Sequence, residues 1–279
     1  MKTHFDCFPC FLKQAKRVGQ LLKLTDKKIW QLLKETACQL ALMDVNLPPP
    51  QNAVAVYDKI SMIIEVLDPF YNLKQKSINQ ALDLYPILEE QVARSNNKLE
   101  AAIRYAAAGN VVDYGISSEF DLLKEIDAVV NKRFFKWDFE VFQRELEKAN
   151  WVLVLGDNCG ESVLDKLLIK ELKKDVYYAV RGGPIINDVT YNDAKASGID
   201  KICKIISTGC KAPGIIFEWC SKEFLELFED APLIISKGQG NFETLSDTKK
   251  NIFFLFKIKC QVVASFLNCP LGSMYFGKI

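Results

Sequence analysis

The sequence predicts an α/β protein, an all-helical first half feeding a doubly wound, mostly parallel sheet. After residue 150, short and continuously apolar runs such as WVLVL, DVYYAV and IFFLF alternate with helical stretches, the pattern of parallel strands covered on both faces. Before residue 150 the apolar residues recur at helical spacing, and no convincing strand is expected there. The chain has 279 residues and 49% apolar content, enough for one large domain or two ordinary ones. The change of period sets the expected boundary, a helical domain over 1–149 and an α/β domain over 150–279.

Asp26 is placed to cap a helix to about Met43, with Ile29, Leu32, Leu33, Cys38 and Leu40 as its apolar stripe. Pro48–Pro50 starts a helix over roughly 52–67, and further helical patterns follow at 78–93, 98–108 and 118–130. Asp138 opens the last of them, which ends near Asn150. Next come WVLVLG, the turn DNCGE, and a helix to about Lys174 carrying Val163, Leu164, Leu167, Leu168 and Leu172 on one side. Then follow the strand DVYYAV, the long turn RGGPIIND, the short helix YNDAKASG and the strand ICKIIST. A helix around 218–228, the strand PLIIS, the turn KGQGN, the strand IFFLFKI and a closing helix complete the reading.

Composition narrows the chemistry. A formal net charge of +1 steers the molecule toward neither nucleic acid nor an anionic membrane. No run is long and uninterrupted enough to span a bilayer, and MKTHFDCFPCF lacks the apolar core of a secretory leader. Nine scattered cysteines fit a reducing compartment, and a cytoplasmic location is expected. The chain has one histidine, His4, so histidine-rich zinc sites and buried histidine bases are excluded elsewhere.

Open parallel sheets bind ligands beyond the carboxyl ends of their strands. The polar residues there are Asp157 and Asn158 after the first run, Asn187 and Asp188 after the second, Ser207, Thr208 and Gly209 after the third, then Lys237 and Lys259. Asp157, Asn158 and Asp188 offer hard oxygen donors, which suit Mg²⁺ or Mn²⁺. Glu161, at the start of the following helix, is placed to hold a metal-bound water or a substrate hydroxyl. Lys237 and Lys259 bring positive charge to the same edge, where a phosphate would sit. The competing explanation is that Asp157 and Asn158 merely cap a helix. Cys7 and Cys10, in DCFPC, form a single CxxC read as structural or regulatory.

Read in order, DCFPC, DPFYNLK (68–74), GNVVDYG (109–115), LGDNCGE (155–161), GGPIINDVTYNDA (182–194), STG (207–209), KGQGNFE (237–243) and the lysine of IKCQ resemble the DUF89 family of damage-control phosphatases. The N-terminal CxxC is similar to that of its stand-alone prokaryotic subfamily. The resemblance implies a Rossmann-like C-terminal domain. It places the metal on Asp157, Asn158 and Asp188, and substrate contacts on Glu161, Lys237, Gly240, Asn241, Phe242 and Lys259. It also implies hydrolysis of phosphate monoesters of small, often damaged metabolites, such as sugar phosphates or phosphopantetheine derivatives, with Mg²⁺, Mn²⁺, Co²⁺ or Ni²⁺. Cys159 stands where a small residue such as alanine is common in the family.

The expected enzyme is a metal-dependent phosphatase with Asp157, Asp188 and Lys237 as catalytic groups and a small phosphate ester as partner. Thr208 is expected at the substrate. The residues leave open whether water or Asp157 is the nucleophile. Two alternatives are an S-adenosylmethionine-dependent carboxyl methyltransferase and a non-catalytic metal- or metabolite-binding module. GDNCGE is a poor version of the glycine-rich loop that the methyltransferase would need.

Overall fold

The structure, a computed structural model, describes residues 1–109 and 119–279, with backbone alone at 119–121. The GNVVDYG stretch beyond Gly109 lies outside the described residues.

Three helices open the chain: α1 (Cys7–Leu21), α2 (Asp26–Ala41) and α3 (Pro49–Ile64). They enclose a small core of Phe11, Ala15, Val18, Leu32, Val56, Tyr57 and Ile60, to which Ile185 from the far half is added. The first helix was not expected. The cap of α2 is Thr25, whose hydroxyl accepts from the Lys28 amide, so Asp26 is instead the first helical residue. Proline at the start of α3 costs no hydrogen bond, because the first-turn amides have no helical partner.

Next come α4 (Tyr71–Arg94), α5 (Lys98–Ala108), α6 (Glu119–Val130), β1 (Lys136–Trp137) and α7 (Phe139–Lys148). The two-residue β1 corrects the expectation of no strand before residue 150. The α/β half then runs β2 (Trp151–Leu155), α8 (Cys159–Leu172), β3 (Asp175–Val180), α9 (Tyr191–Ala196), β4 (Lys204–Ser207) and α10 (Lys222–Asp230). It closes with β5 (Ile234–Lys237), α11 (Gln239–Leu245), β6 (Ile252–Lys257), α12 (Gln261–Phe266) and β7 (Met274–Gly277). A strand rather than a helix therefore ends the chain. No helix among the described residues is long and apolar enough to cross a membrane.

The seven strands lie in the order β1-β7-β6-β5-β2-β3-β4. The five from β6 to β4 are mutually parallel, β7 runs antiparallel to β6, and β1 is parallel to β7. Alternate residues of β2 feed different cores, Val152 and Val154 on one face and Leu153 and Leu155 on the other. The first of these cores also takes in Ile78, Leu88, Ile103, Ile126 and Phe142 from α4, α5, α6 and α7. Helices α4 to α7 thus pack on one face of the sheet, while α1 to α3 enclose a core of their own.

Helix α8 lies between the sheet and the pair α4 and α5 and is buried almost all round, including Glu161, Ser162 and Asp165. A charged helix in that setting needs partners on every side. The chain leaves β2 for β3 and β4 on one side and returns to β5 on the other. The crevice between the carboxyl ends of β2 and β5 is therefore the topological switch point of the sheet.

Candidate active site at the switch point

Asp157 and Asn158 follow β2 directly and are both buried. Asn158 occupies the N-cap of α8, yet its side chain makes no capping bond. The helix-capping explanation of this pair therefore lacks its hydrogen bond. The Asn158 amide instead donates to Asp157 Oδ2 at 3.2 Å and to Glu161 Oε2 at 3.3 Å.

The turn after β3 is drawn back onto this segment. Val189 N donates to the Asp157 carbonyl at 2.8 Å, Cys159 N to the Asn187 carbonyl at 3.0 Å, and Asn158 and Asp188 form an isolated antiparallel bridge. Asp188 thereby joins Asp157 and Asn158. Gly238, just past β5, supplies the third wall. It has φ +82°, and a Cβ there would lie 2.1 Å from the Asp157 carboxyl carbon. Only glycine fits.

The charges form two linked groups. In one, Arg181 Nε donates to Asp188 Oδ2 at 2.7 Å and Nη1 donates to Asn241 Oδ1 at 2.9 Å, while Nη2 lies 3.6 Å from Asp157 Oδ1. In the other, Lys237 Nζ is paired with Glu161 at 2.5 Å and with Asp165, and donates to the Ala106 carbonyl at 3.1 Å. The second Asp165 oxygen accepts from the Tyr178 hydroxyl at 2.7 Å.

Burial, then the neighbouring Asp188 and Glu161 carboxylates, push the Asp157 carboxyl up to about 8, with Lys259 and Arg181 opposing. Burial likewise raises Asp188 against the pull of Arg181. Asp165 is raised by burial to about 6 despite Lys237. Desolvation would lower Lys237, but Asp165 and Glu161 outweigh it and hold the ammonium above its usual range.

The expected site residues separate by position. Asp157, Asn158, Glu161, Asp188 and Asn241 converge. Lys259 is exposed on the rim, close enough for its charge to act on both Asp157 and Asp188. Lys237 was expected at the strand end as a charge donor to the phosphate; it is fully buried and engaged by two carboxylates. Phe242 was expected at the substrate; it is core, stacked on Phe256 at 4.7 Å and edge-on to Phe254. Gly240 allows close packing, since a Cβ there would meet the Pro213 carbonyl at 1.8 Å. Thr208 is buried and its hydroxyl accepts from the Cys210 amide at 3.2 Å, while Gly182 N donates to the Cys210 carbonyl. It braces the loop that leads to Asp188. Cys7 and Cys10 lie on α1, and all nine cysteines are free thiols.

Four residues of this network were not singled out from the sequence: Arg181, Asp165, Tyr178 and Lys74. Buried Lys74, from DPFYNLK, pairs with Asp68 and Asp193 at 2.7 Å each and ties α4 to α9. Arg181 opens the turn after β3 and was readable as a strand-end cation. Asp165 lies within a helix and Tyr178 within a strand, where nothing local marks a functional side chain.

Among the described residues no trio of His, Cys, Asp or Glu forms a metal cage. The third donor here is the Asn158 amide, so the set is two carboxylates and a carboxamide. A buried carboxyl whose proton affinity is raised by burial and by neighbouring carboxylates, as at Asp157, marks a place suited to a cation. The residues fit a hard divalent ion.

A shallow basin of about 530 Å³, lined by Asn150, Lys170, Lys173, Lys174 and Asp175, lies at the opposite edge of the sheet. It gathers no comparable donor set, so the switch point remains the candidate.

The model of the damage-control phosphatase ARMT1-like domain matches residues 3–275. The chain belongs to this family. It is 33% identical over 286 residues to a damage-control phosphatase of Pyrococcus horikoshii, covering 98% of this chain and 97% of that one. It is 32% identical to a damage-control phosphatase of Archaeoglobus fulgidus, covering 98% of each. The crystal structure of a DUF89 family protein from Pyrococcus horikoshii superposes with a TM-score of 0.92 at 32% identity, covering 100% of this chain and 99% of that one. The names of these relatives support a phosphatase role in the family.

Proposed function

We propose that this chain is a metal-dependent phosphatase that hydrolyses phosphate monoesters of small metabolites. The observation that carries the reading is the convergence of Asp157, Asn158 and Asp188 at the switch point, buried and short of positive charge. Asp157, Asn158 and Asp188 would hold Mg²⁺ or Mn²⁺, with Co²⁺ or Ni²⁺ as further occupants of the same oxygen set. The bound ion would supply Lewis acidity toward a phosphoryl oxygen and lower the pKa of a water.

The chain's own residues do the rest. Gly238 permits the close approach of β5 to the Asp157 carboxyl, which fixes the distance between the two strand ends. Lys237 holds Glu161 and Asp165 in place, and Glu161 in turn accepts from the Asn158 amide, orienting that donor. Lys259 lies on the rim, where a phosphate arriving from solvent meets positive charge. Nothing in the geometry favours the methyltransferase reading.

The test is phosphate release from a panel of sugar phosphates, phosphopantetheine derivatives and nucleotides, with chelator and with each of the four cations. Release should require a cation and should vanish in Asp188→Ala. Cation-independent release that survives Asp188→Ala would sink the proposal.

A further inference from the structure

We infer that Arg181 is the residue that binds the phosphoryl group, its Nη2 being a donor reserved for an anion at the switch point. This rests on the phosphatase reading above. Arg181 is 2% exposed. Two of its three nitrogens are committed, Nε to Asp188 and Nη1 to Asn241. Asn241 is itself held, donating to the Lys237 carbonyl at 2.8 Å and to the Gly156 carbonyl at 3.3 Å. The guanidinium plane is thus locked from two sides.

Nη2 is buried and has no hydrogen-bond acceptor among the described residues. Its nearest carboxylate oxygen, Asp157 Oδ1, is 3.6 Å away, beyond hydrogen-bond distance. A buried donor without an acceptor costs about 1–3 kcal/mol. The fold satisfies the other two nitrogens with side chains aimed at them and leaves this one open toward Asp157. The missing acceptor therefore sits beside both a guanidinium and the candidate metal ligands. A tetrahedral oxyanion that also touches the metal meets that description, and a planar guanidinium suits phosphate oxygens.

The other cations serve less well. Lys237 has its three donor positions taken by Glu161, Asp165 and the Ala106 carbonyl. Lys259 is exposed to screening by solvent. Among the described residues, Arg181 presents a cationic donor at this site that is both fixed and without an acceptor.

The same charge also repels a metal ion held by Asp157 and Asp188. Removing it should weaken the anion without weakening the cation, a pattern that general loosening of the fold would not produce. The test uses calorimetric titration of the full chain with Mn²⁺, and with inorganic phosphate in the presence and absence of Mn²⁺, for the wild type, Arg181→Met and Arg181→Lys. In Arg181→Met the Mn²⁺ Kd should be unchanged or tighter and the phosphate Kd weaker by at least about tenfold, with Arg181→Lys between.

Phosphate affinity within about threefold of wild type in a folded Arg181→Met, or no phosphate binding by the wild type, overturns the assignment. If Arg181→Met fails to fold, the wild-type guanidinium answers instead. Its Nη proton resonance, identified by its loss in Arg181→Lys, should shift on saturation with phosphate, and an unmoved resonance overturns the assignment. The metal arm judges the parent reading separately. A wild type that takes up no Mn²⁺ removes the metal-dependent mechanism, whereas the phosphate titration without Mn²⁺ still judges Arg181.

Discussion

Two charged clusters stand a few residues apart in this molecule, and one is complete while the other is not. Around Lys237, each group has its partner: Glu161 and Asp165 take the ammonium, Tyr178 takes the second Asp165 oxygen, and a carbonyl takes a further proton. Around Arg181, two carboxylates share one guanidinium, Asp157 is driven toward its neutral form, and among the described residues one donor has no acceptor. Both clusters are buried, so solvent does not supply what is missing. The complete cluster needs no further ligand. The incomplete one is shaped around something that arrives from outside, a cation and an anion in the reading proposed here.

The largest effect is expected at Asp157. Asp157→Ala should lower cation-dependent phosphatase turnover by about 10³ or more, because a metal's charge stabilisation is worth several kcal/mol. Its fold should survive, since the residue is poorly compensated to begin with. Near wild-type kcat at saturating metal would show that the incomplete cluster is not the site.

Lys237→Met tests the complete half. From the sequence it reads as a charge removal that leaves packing intact. The structure reverses that expectation, because the substitution strands two buried carboxylates. Stability should fall by about 3–5 kcal/mol, seen as a lower urea midpoint, and adding Asp165→Asn should recover part of it. An unchanged midpoint would mean that the lysine is not structural.

Glu243 gives a smaller, pH-dependent effect outside both clusters. Burial raises its carboxyl from 4.5 to about 7, although Gln239 donates to it at 2.7 Å. The folded chain therefore holds this proton more tightly than the unfolded chain. The resulting stability is fully present below about pH 4.5 and is lost as pH rises through about 7. Glu243→Gln should flatten the melting temperature over that window relative to wild type. Parallel melting curves for the two proteins would remove Glu243 as the cause.

The smallest effect is expected at Cys7 and Cys10, which lie in the helical layer. The Cys7→Ser, Cys10→Ser double variant should keep kcat within about twofold, under 0.5 kcal/mol. A large drop in a well-folded double variant would extend the site to α1.

Much of this was legible in the primary structure, for local reasons. Buried parallel strands must be apolar throughout, so five of them could be read directly, and their polar successors named Asp157, Asn158, Glu161, Asp188 and Lys259. The elements missed were those with weak local patterns. The two-residue β1 has no period of its own, α1 carries Pro9 in its first turn, and β7 is four residues long. Phe242 was misplaced because a segment's resemblance does not say which of its side chains face inward.

What the sequence alone determined is the alternation of strand and helix, and with it the edge of the sheet where function should lie. Those follow from hydrophobic period, which each segment carries by itself. Tertiary structure decided which charges are partnered. Lys237 and Asp165 are 72 residues apart, and Arg181 and Asn241 are 60 apart. Neither member of either pair signals the other along the chain. It also decided that α4 to α7 share the core of the sheet, since a helix's apolar stripe shows that it will be covered without showing by what. Chain order brings β5 back beside β2, and that return sets Gly238 against Asp157 and separates the lysine that is saturated from the arginine that is not.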